Sequence, residues 1–162
     1  MKLYYVKDRY IDYLKQFDSK VANNKSQTRP YIGVVLKIGE INYFAPLSSP
    51  KPKHLKMKQS IDLFKIKNGE YGVINLNNMI PVPLDKVIEL NIEKELDIKY
   101  KELLKRQIIY IRENKISIYN KASKLRNILI DNNVEAEHRR ILKARSCNLK
   151  LLEEKYFEYI NH

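Results

Sequence analysis

The sequence predicts an α+β fold: a small, twisted antiparallel sheet, closed or strongly curled, with helices packed on it and a helical C-terminal half. Three observations lead there. Short β-branched stretches punctuated by turn residues run as far as Leu90. From about Glu93 the apolar spacing changes to that of helices. No repeat, low-complexity tail or linker divides the chain, so residues 1–162 read as a single domain.

Taken in order, "KLYYV" reads as a short strand and "DRYIDYLKQFD" as a helix, with Tyr10, Leu14 and Phe17 on one face. "ANNKSQTRP" is polar and rich in breakers, hence a loop. "YIGVVLKI" is a β-branched strand that Gly39-Glu40 turns back into "INYFAPL", a hairpin. Leu47 to Ser60, with two prolines and little hydrophobicity, reads as a loop. "IDLFKI" and "GVINL" are strands joined by the turn "NGEYG". "MIPVPL" is a strand edge interrupted by prolines, and "KVIEL" a short strand. Leu104, Ile108 and Ile111 then mark one helix, and Tyr119, Ala122, Leu125 and Leu129 a second. "DNNVEAEHRR" breaks the pattern before a last helix carrying Leu149, Leu152, Tyr156 and Ile160.

The formal net charge is +12. Lys, Ile, Asn and Tyr are all plentiful, as AT-rich coding would give, and this bias accounts for part of it. The placement carries more information. Val21 to Leu36 contains Lys25 and Arg29 and no acid; Phe44 to Ile61 contains Lys51, Lys53, Lys56 and Lys58 and no acid. His138 to Leu152 contains Arg139, Arg140, Lys143, Arg145 and Lys150, again without an acid, whereas acids gather in "IELNIEKELDIKYKE". Segregation by sign predicts basic faces for a polyanion.

One cysteine, Cys147, excludes an internal disulfide and fits a reducing, cytoplasmic setting. The N-terminus turns charged too early for a signal peptide, and no apolar run approaches the ~20 residues of a membrane span. There is no Walker loop, no G-x-G-x-x-G and no H-E-x-x-H, and His54, His138 and His162 are too dispersed for a metal site. No metal or other cofactor is therefore expected. What remains is Ser, Lys, Arg, Tyr and one His, a set suited to metal-free RNA cleavage. RNA brings its own nucleophile, the 2′-OH; the protein must hold the backbone in line, move two protons and stabilise charge on the phosphate.

The stretch "YFAPLSSPKPKHLKMK" offers those groups together. Pro46 and Pro50 stiffen the exit from the strand, Ser48 and Ser49 can donate to phosphate oxygens, and Lys51 lies within reach of the same oxygens. A lysine enters acid–base chemistry when neighbouring positive charge makes adding its proton costlier, and Lys53, Lys56 and Lys58 crowd this segment. The bland alternative is a hairpin-to-loop turn in which the serines cap backbone groups and the lysines are solvated.

These stretches also carry a resemblance. "YIGVVLKI…INYFAPLSSPKPKH", "YGVINLNNMIPVP", "KLRNIL" and "CNLKLLEEKY", with the opening "MKLYYVKDRYIDYLKQFDSKV", occur in an order that resembles the ToxN/AbiQ family, endoribonuclease toxins of type III toxin–antitoxin systems. The resemblance spans nearly the whole chain. It implies a barrel-like sheet with surrounding helices, similar to the Kid and MazF toxins. It implies metal-independent, sequence-selective cutting to a 2′,3′-cyclic phosphate and a 5′-hydroxyl. It implies as partners target mRNA and a small pseudoknotted antitoxin RNA, which the toxin processes and which inhibits it in a closed assembly, as in abortive infection.

The family's Thr/Ser-Ser-Pro-Lys motif falls on Ser48, Ser49, Pro50 and Lys51, with serine where threonine is usual. Arg29 stands where family members often carry lysine before the strand; arginine binds phosphate but cannot shuttle a proton, so the burden shifts to Lys51. A family tyrosine in the preceding loop has no clear counterpart, and Tyr31 reads as core or edge. The roles this implies are Lys51 as general acid or base, Ser49 and Ser48 orienting the scissile phosphate, Arg29 stabilising charge, and His54 as a secondary acid–base group. Lys25, Arg29, Lys53, Lys56 and Lys58, with Arg139, Arg140, Lys143, Arg145 and Lys150 as a second groove wall, are expected to hold RNA backbone. Two other readings stand beside this one: a non-catalytic RNA-binding protein, a degenerate toxin, and a protein-targeting toxin on the same fold.

Overall fold

The computed structural model describes residues 1–133 and 136–162. Strand β1 (Lys2–Val6) leads into helix α1 (Asp8–Lys15). The hairpin follows as β2 (Tyr31–Ile38) and β3 (Ile41–Ser48), turned by Gly39 and Glu40, with Gly39 at φ +55°. After a short helix α2 (Pro52–Lys56) come β4 (Leu63–Lys65), β5 (Val73–Asn75), β6 (Ile80–Pro81) and β7 (Val87–Glu89). Helices α3 (Ile98–Glu113), α4 (Lys115–Ile130), α5 (Glu137–Arg145) and α6 (Leu149–Ile160) form the C-terminal half.

The strands make one seven-stranded antiparallel sheet in the order β4-β5-β3-β2-β1-β7, with β6 added on β3. β3 is the hub. Its length pairs with β2, with a bulge between Gly33 and Leu36, while its other edge takes β6 at Tyr43–Phe44 and β5 at Leu47–Ser48. Ser48 is therefore the last residue of the central strand, opposite Val73. β4 and β7 are the outer members, so the sheet is open there.

α4 lies on β2 and α6 on β6, and the two helices touch. A polar tie crosses this layer. The Arg126 guanidinium of α4 grips the Glu153 carboxylate of α6 at 2.7 and 3.1 Å, and the Tyr43 hydroxyl of β3 donates to the same carboxylate. Tyr43 is fully buried, and burial with that carboxylate beside it pushes its phenol well above the ordinary range. No helix among the described residues is long and apolar enough to cross a membrane.

Four local readings change. The expected loop after β3 contains α2, because Pro52 sits at a helix start, where its fixed φ is suited and its missing N–H costs nothing. The last helical half begins at Ile98 rather than near Glu93; Asp97 caps it by accepting the Tyr100 N–H at 3.1 Å. α5 was hidden in the basic run because it buries only Leu142. The strand expected over "IDLFKI" shortens to Leu63–Lys65. Phe17, Tyr119 and Ile160, expected on apolar faces, are 36%, 46% and 46% exposed, since α1 stops before Phe17, Ile118 takes the inward position on α4, and Ile160 ends α6. The predicted break "DNNVEAEHRR" separates α4 from α5; Val134 and Glu135 within it lie outside the described residues.

Candidate active site

The site begins where β3 runs out. Ser48 leads through Ser49 and Pro50 to Lys51, which precedes α2. Two glycines press the 66–72 turn against this segment. A Cβ on Gly72 (φ +90°) would lie 2.1 Å from the Ser48 carbonyl oxygen, and one on Gly69 (φ +92°) 2.5 Å from that of His54. Both φ values belong to glycine, so backbone meets backbone where no side chain fits. Lys51 and His54 then lock together: the Lys51 N–H donates to His54 Nδ1 at 3.1 Å, and the His54 N–H donates to the Lys51 carbonyl at 2.9 Å.

Two lysines fasten the rest of the loop. Lys65 Nζ, almost buried, donates to the Leu55 and Met57 carbonyls at 3.3 and 3.0 Å, closing the end of α2. Lys121 Nζ from α4 donates to the Ser60 and Leu63 carbonyls, each at 2.9 Å, and burial lowers its ammonium below the usual range. These cations satisfy carbonyls that a loop of this length leaves open.

The facing wall is the 23–29 loop. Lys25, Ser26 and Gln27 all take positive φ, at +50°, +55° and +63°. That conformation costs about 1 kcal/mol or more per residue. It is offset by anchors to the start of α1: Asn24 Nδ2 donates to the Val6 carbonyl at 2.8 Å and Asp8 Oδ1 at 2.6 Å, and Gln27 Oε1 accepts the Asp8 N–H. The loop thereby delivers Arg29, whose Nε donates to the Asn23 carbonyl at 2.6 Å and Nη1 to that of Leu47 at 3.3 Å. Three of its five N–H donors remain for a ligand.

Between these walls lies a cleft of about 330 Å³. Of the residues singled out by sequence, Lys25, Arg29, Ser48, Ser49 and Lys51 converge on it; Thr28, Tyr100 and Gln107 complete the polar lining. No carboxylate lines it, and none of Lys25, Arg29 and Lys51 is ion-paired among the described residues. Asn75 Nδ2 donates to Ser48 Oγ at 2.8 Å, so the serine accepts from behind and its own proton is left to point at a ligand. Burial pushes the Tyr100 phenol up to about 12, which keeps it a neutral donor. Asn75, Tyr100 and Gln107 were missed in the sequence, since Asn75 comes from β5 and the other two from α3, far from the 48–51 segment, and no local pattern marks them.

The other expected residues are placed elsewhere. His54 is turned inward and only 2% exposed, with Nδ1 occupied by the Lys51 amide, so it braces the loop instead of facing the cleft. Burial first, then Lys53, Lys51 and Lys65, holds its imidazole below the ordinary value and neutral. Lys53, Lys56 and Lys58 are exposed along α2 and just beyond it. The second basic run does not form one wall. Arg139 pairs with Asp131 at 2.8 Å, and Lys143 donates to the Asp131 carbonyl. Arg145, itself exposed, grips buried Asp62 at 2.5 and 2.8 Å, so its charge is paired from the surface with an acid of the fold. Lys143 and Lys150 line a separate cleft with Lys20, and Arg140 is exposed on α5.

The profile of the family described as "Toxin ToxN, type III toxin-antitoxin system" matches residues 2–157. The chain belongs to that family. Among its relatives, the endoribonuclease ToxN of Pectobacterium atrosepticum is 37% identical, over 98% of this chain and 94% of the relative. The endoribonuclease AbiQ of Lactococcus lactis subsp. lactis is 36% identical, over 96% and 87%. The fold agrees with solved ToxN-family structures. One, from work on selective inhibition of a type III toxin by a non-coding RNA pseudoknot, superposes with a TM-score of 0.88 at 33% identity, covering 99% and 98% of the two chains. The lactococcal anti-phage endoribonuclease AbiQ superposes at 0.81 with 32% identity, covering 99% and 98%.

Proposed function

We propose that this chain is the toxin of a type III toxin–antitoxin system, a metal-independent, sequence-selective endoribonuclease that works in the cytoplasm. A small pseudoknotted antitoxin RNA, which it processes from a precursor, holds it inactive in a closed toxin–RNA assembly. The observation that carries the reading is the convergence of Lys51, Ser48, Ser49 and Arg29 on one cleft that no carboxylate lines among the described residues. Such a cleft suits a phosphodiester and offers nothing to a cationic substrate. Relatives named as endoribonucleases, and structures from work on antiviral systems regulated by non-coding RNA, support it.

In the reaction the substrate's 2′-oxygen attacks the adjacent phosphorus, the P–O5′ bond breaks, and 2′,3′-cyclic phosphate and 5′-hydroxyl ends result. One proton leaves the 2′-OH and one reaches O5′. Lys51 takes part as general acid or base and as phosphate ligand. Ser49 and Ser48 donate to the non-bridging oxygens, Ser48 oriented by Asn75, and Arg29 stabilises the added charge with its remaining donors. His54 acts through Lys51, by fixing its backbone. Lys25, Lys53, Lys56 and Lys58 hold flanking phosphates, with Arg140, Lys143 and Lys150 on a second face; Arg139 and Arg145 contribute less, being paired.

The test uses wild type and Lys51→Ala stripped of RNA under denaturing conditions, refolded, and given a structured transcript in EDTA. Cutting by wild type alone, with cyclic phosphate and 5′-hydroxyl ends, is expected. Cutting by both removes Lys51 from the mechanism. If refolded protein binds RNA and neither form cuts, the chain is a non-catalytic RNA-binding protein, the outcome that arginine at position 29 would then explain.

A further inference from the structure

Almost every polar group facing the cleft is a hydrogen-bond donor or carries positive charge, which matches phosphate. Gln107 is the exception. Its side chain is 2% exposed, on the face of α3 that lines the cleft. Its Nε2 donates to the Tyr71 carbonyl at 2.8 Å, which fixes the amide's orientation. Oε1 is thereby committed as an acceptor, and it has no partner among the described residues. A buried acceptor without a partner is uncommon in folded proteins and asks for an explanation; of the four such atoms among the described residues, Asn24 Oδ1, Tyr31 OH, Ser146 Oγ and this one, Gln107 Oε1 is the one whose side chain lines the cleft. Phosphate oxygens, acceptors themselves, are repelled by it.

We propose that Gln107 is a specificity-determining residue, whose Oε1 accepts a hydrogen bond from the exocyclic amino group of an RNA base in the cleft. Adenine N6, cytosine N4 and guanine N2 offer such a group. Uracil has no amino group, and its N3–H lies between two carbonyls that would face Oε1. Tyr100 lies two turns earlier on the same helix face, about 10 Å along the axis, and offers a stacking surface to a neighbouring base. The proposal rests on RNA being the ligand of this cleft.

The test is a randomised RNA library given to full-length wild type and Gln107→Met, both stripped of RNA. The substitution keeps roughly the volume and removes the acceptor, together with the Nε2 bond to the Tyr71 carbonyl, whose loss alone would act on all sequences alike. Cut ends and protein-retained RNAs are sequenced separately. Wild type is expected to disfavour uracil about tenfold at one position, and Gln107→Met to lose that preference there alone. A second arm leaves the protein untouched. In a favoured RNA, the base at that position is replaced by its analogue lacking the amino group. Wild type is expected to lose about tenfold, and Gln107→Met nothing further. A wild-type profile without base preference, a profile unchanged in Gln107→Met, a uniform loss across all sequences, or indifference to the amino group overturns the proposal. If no RNA is cut, the retained pool still decides it, so failure of the cleavage reading is seen separately.

Discussion

Lys51 and His54 hold each other through paired hydrogen bonds, amide to imidazole at 3.1 Å and amide to carbonyl at 2.9 Å. The imidazole works as an acceptor, so it must be neutral. Its titration lies below the ordinary histidine value of about 6.5, chiefly through burial. The unfolded chain therefore takes up this proton first. The stability this group contributes is present above about pH 6.5 and falls as the pH drops below it, by at most about 1.4 kcal/mol per pH unit for one proton. Thermal melts from pH 7.5 to 5 should show a steeper loss for wild type than for His54→Asn, which keeps an acceptor near the Nδ1 position. Parallel curves would remove His54 from the acid sensitivity.

Gly72→Ala should destabilise the protein by about 2 kcal/mol or more and depress RNA cutting as well. The new methyl meets the Ser48 carbonyl at 2.1 Å, in a conformation alanine avoids. Denaturant unfolding gives the first effect and initial cutting rates on refolded protein the second. Gly39→Ala, where a Cβ meets nothing within 4 Å, should leave cutting unchanged.

Asn75→Leu tests whether Ser48 needs orienting. With its donor gone, the Ser48 hydroxyl can turn its proton inward. Cutting should slow about tenfold while RNA affinity holds, a loss in the rate of the bound complex. Equal losses in affinity and rate would mean that Asn75 shapes the cleft generally.

Arg140 and Arg145, close in sequence, should separate by assay. Arg145→Ala leaves the Asp62 carboxylate buried with the Ser60 hydroxyl bond and the nearby Lys121 charge, and should cost about 1–2 kcal/mol of stability. Arg140→Ala should leave stability alone and lower the salt dependence of RNA binding by about one counterion. Reversed results would place RNA at Arg145.

Five of the residues singled out in the sequence meet at one cleft because much of that arrangement is local. Ser48, Ser49 and Lys51 are fixed in space once β3 ends at Ser48, and Arg29 follows because β2 pairs with β3 so that Tyr31 faces Pro46. Gln107 and Asn75 were illegible, since their roles depend on which carbonyl or hydroxyl the fold sets beside them. Arg145 misled for the same reason: its acid is 83 residues away. α2 escaped because a proline at a helix start and one in a loop look alike in sequence. His54 was visible as a titratable group, but its inward turn depends on Gly69, which lets the 66–72 turn close over it.

The unpaired cations of the cleft also bear on how the protein must be handled. Lys25, Arg29 and Lys51 have no protein counter-charge among the described residues, so in the absence of nucleic acid small multivalent anions from the medium will gather around them. Phosphate or sulfate then competes for the place of the scissile group. Assays in an inorganic phosphate buffer should therefore understate turnover relative to a zwitterionic buffer of equal ionic strength. For an enzyme of this architecture the choice of buffer is a choice of inhibitor.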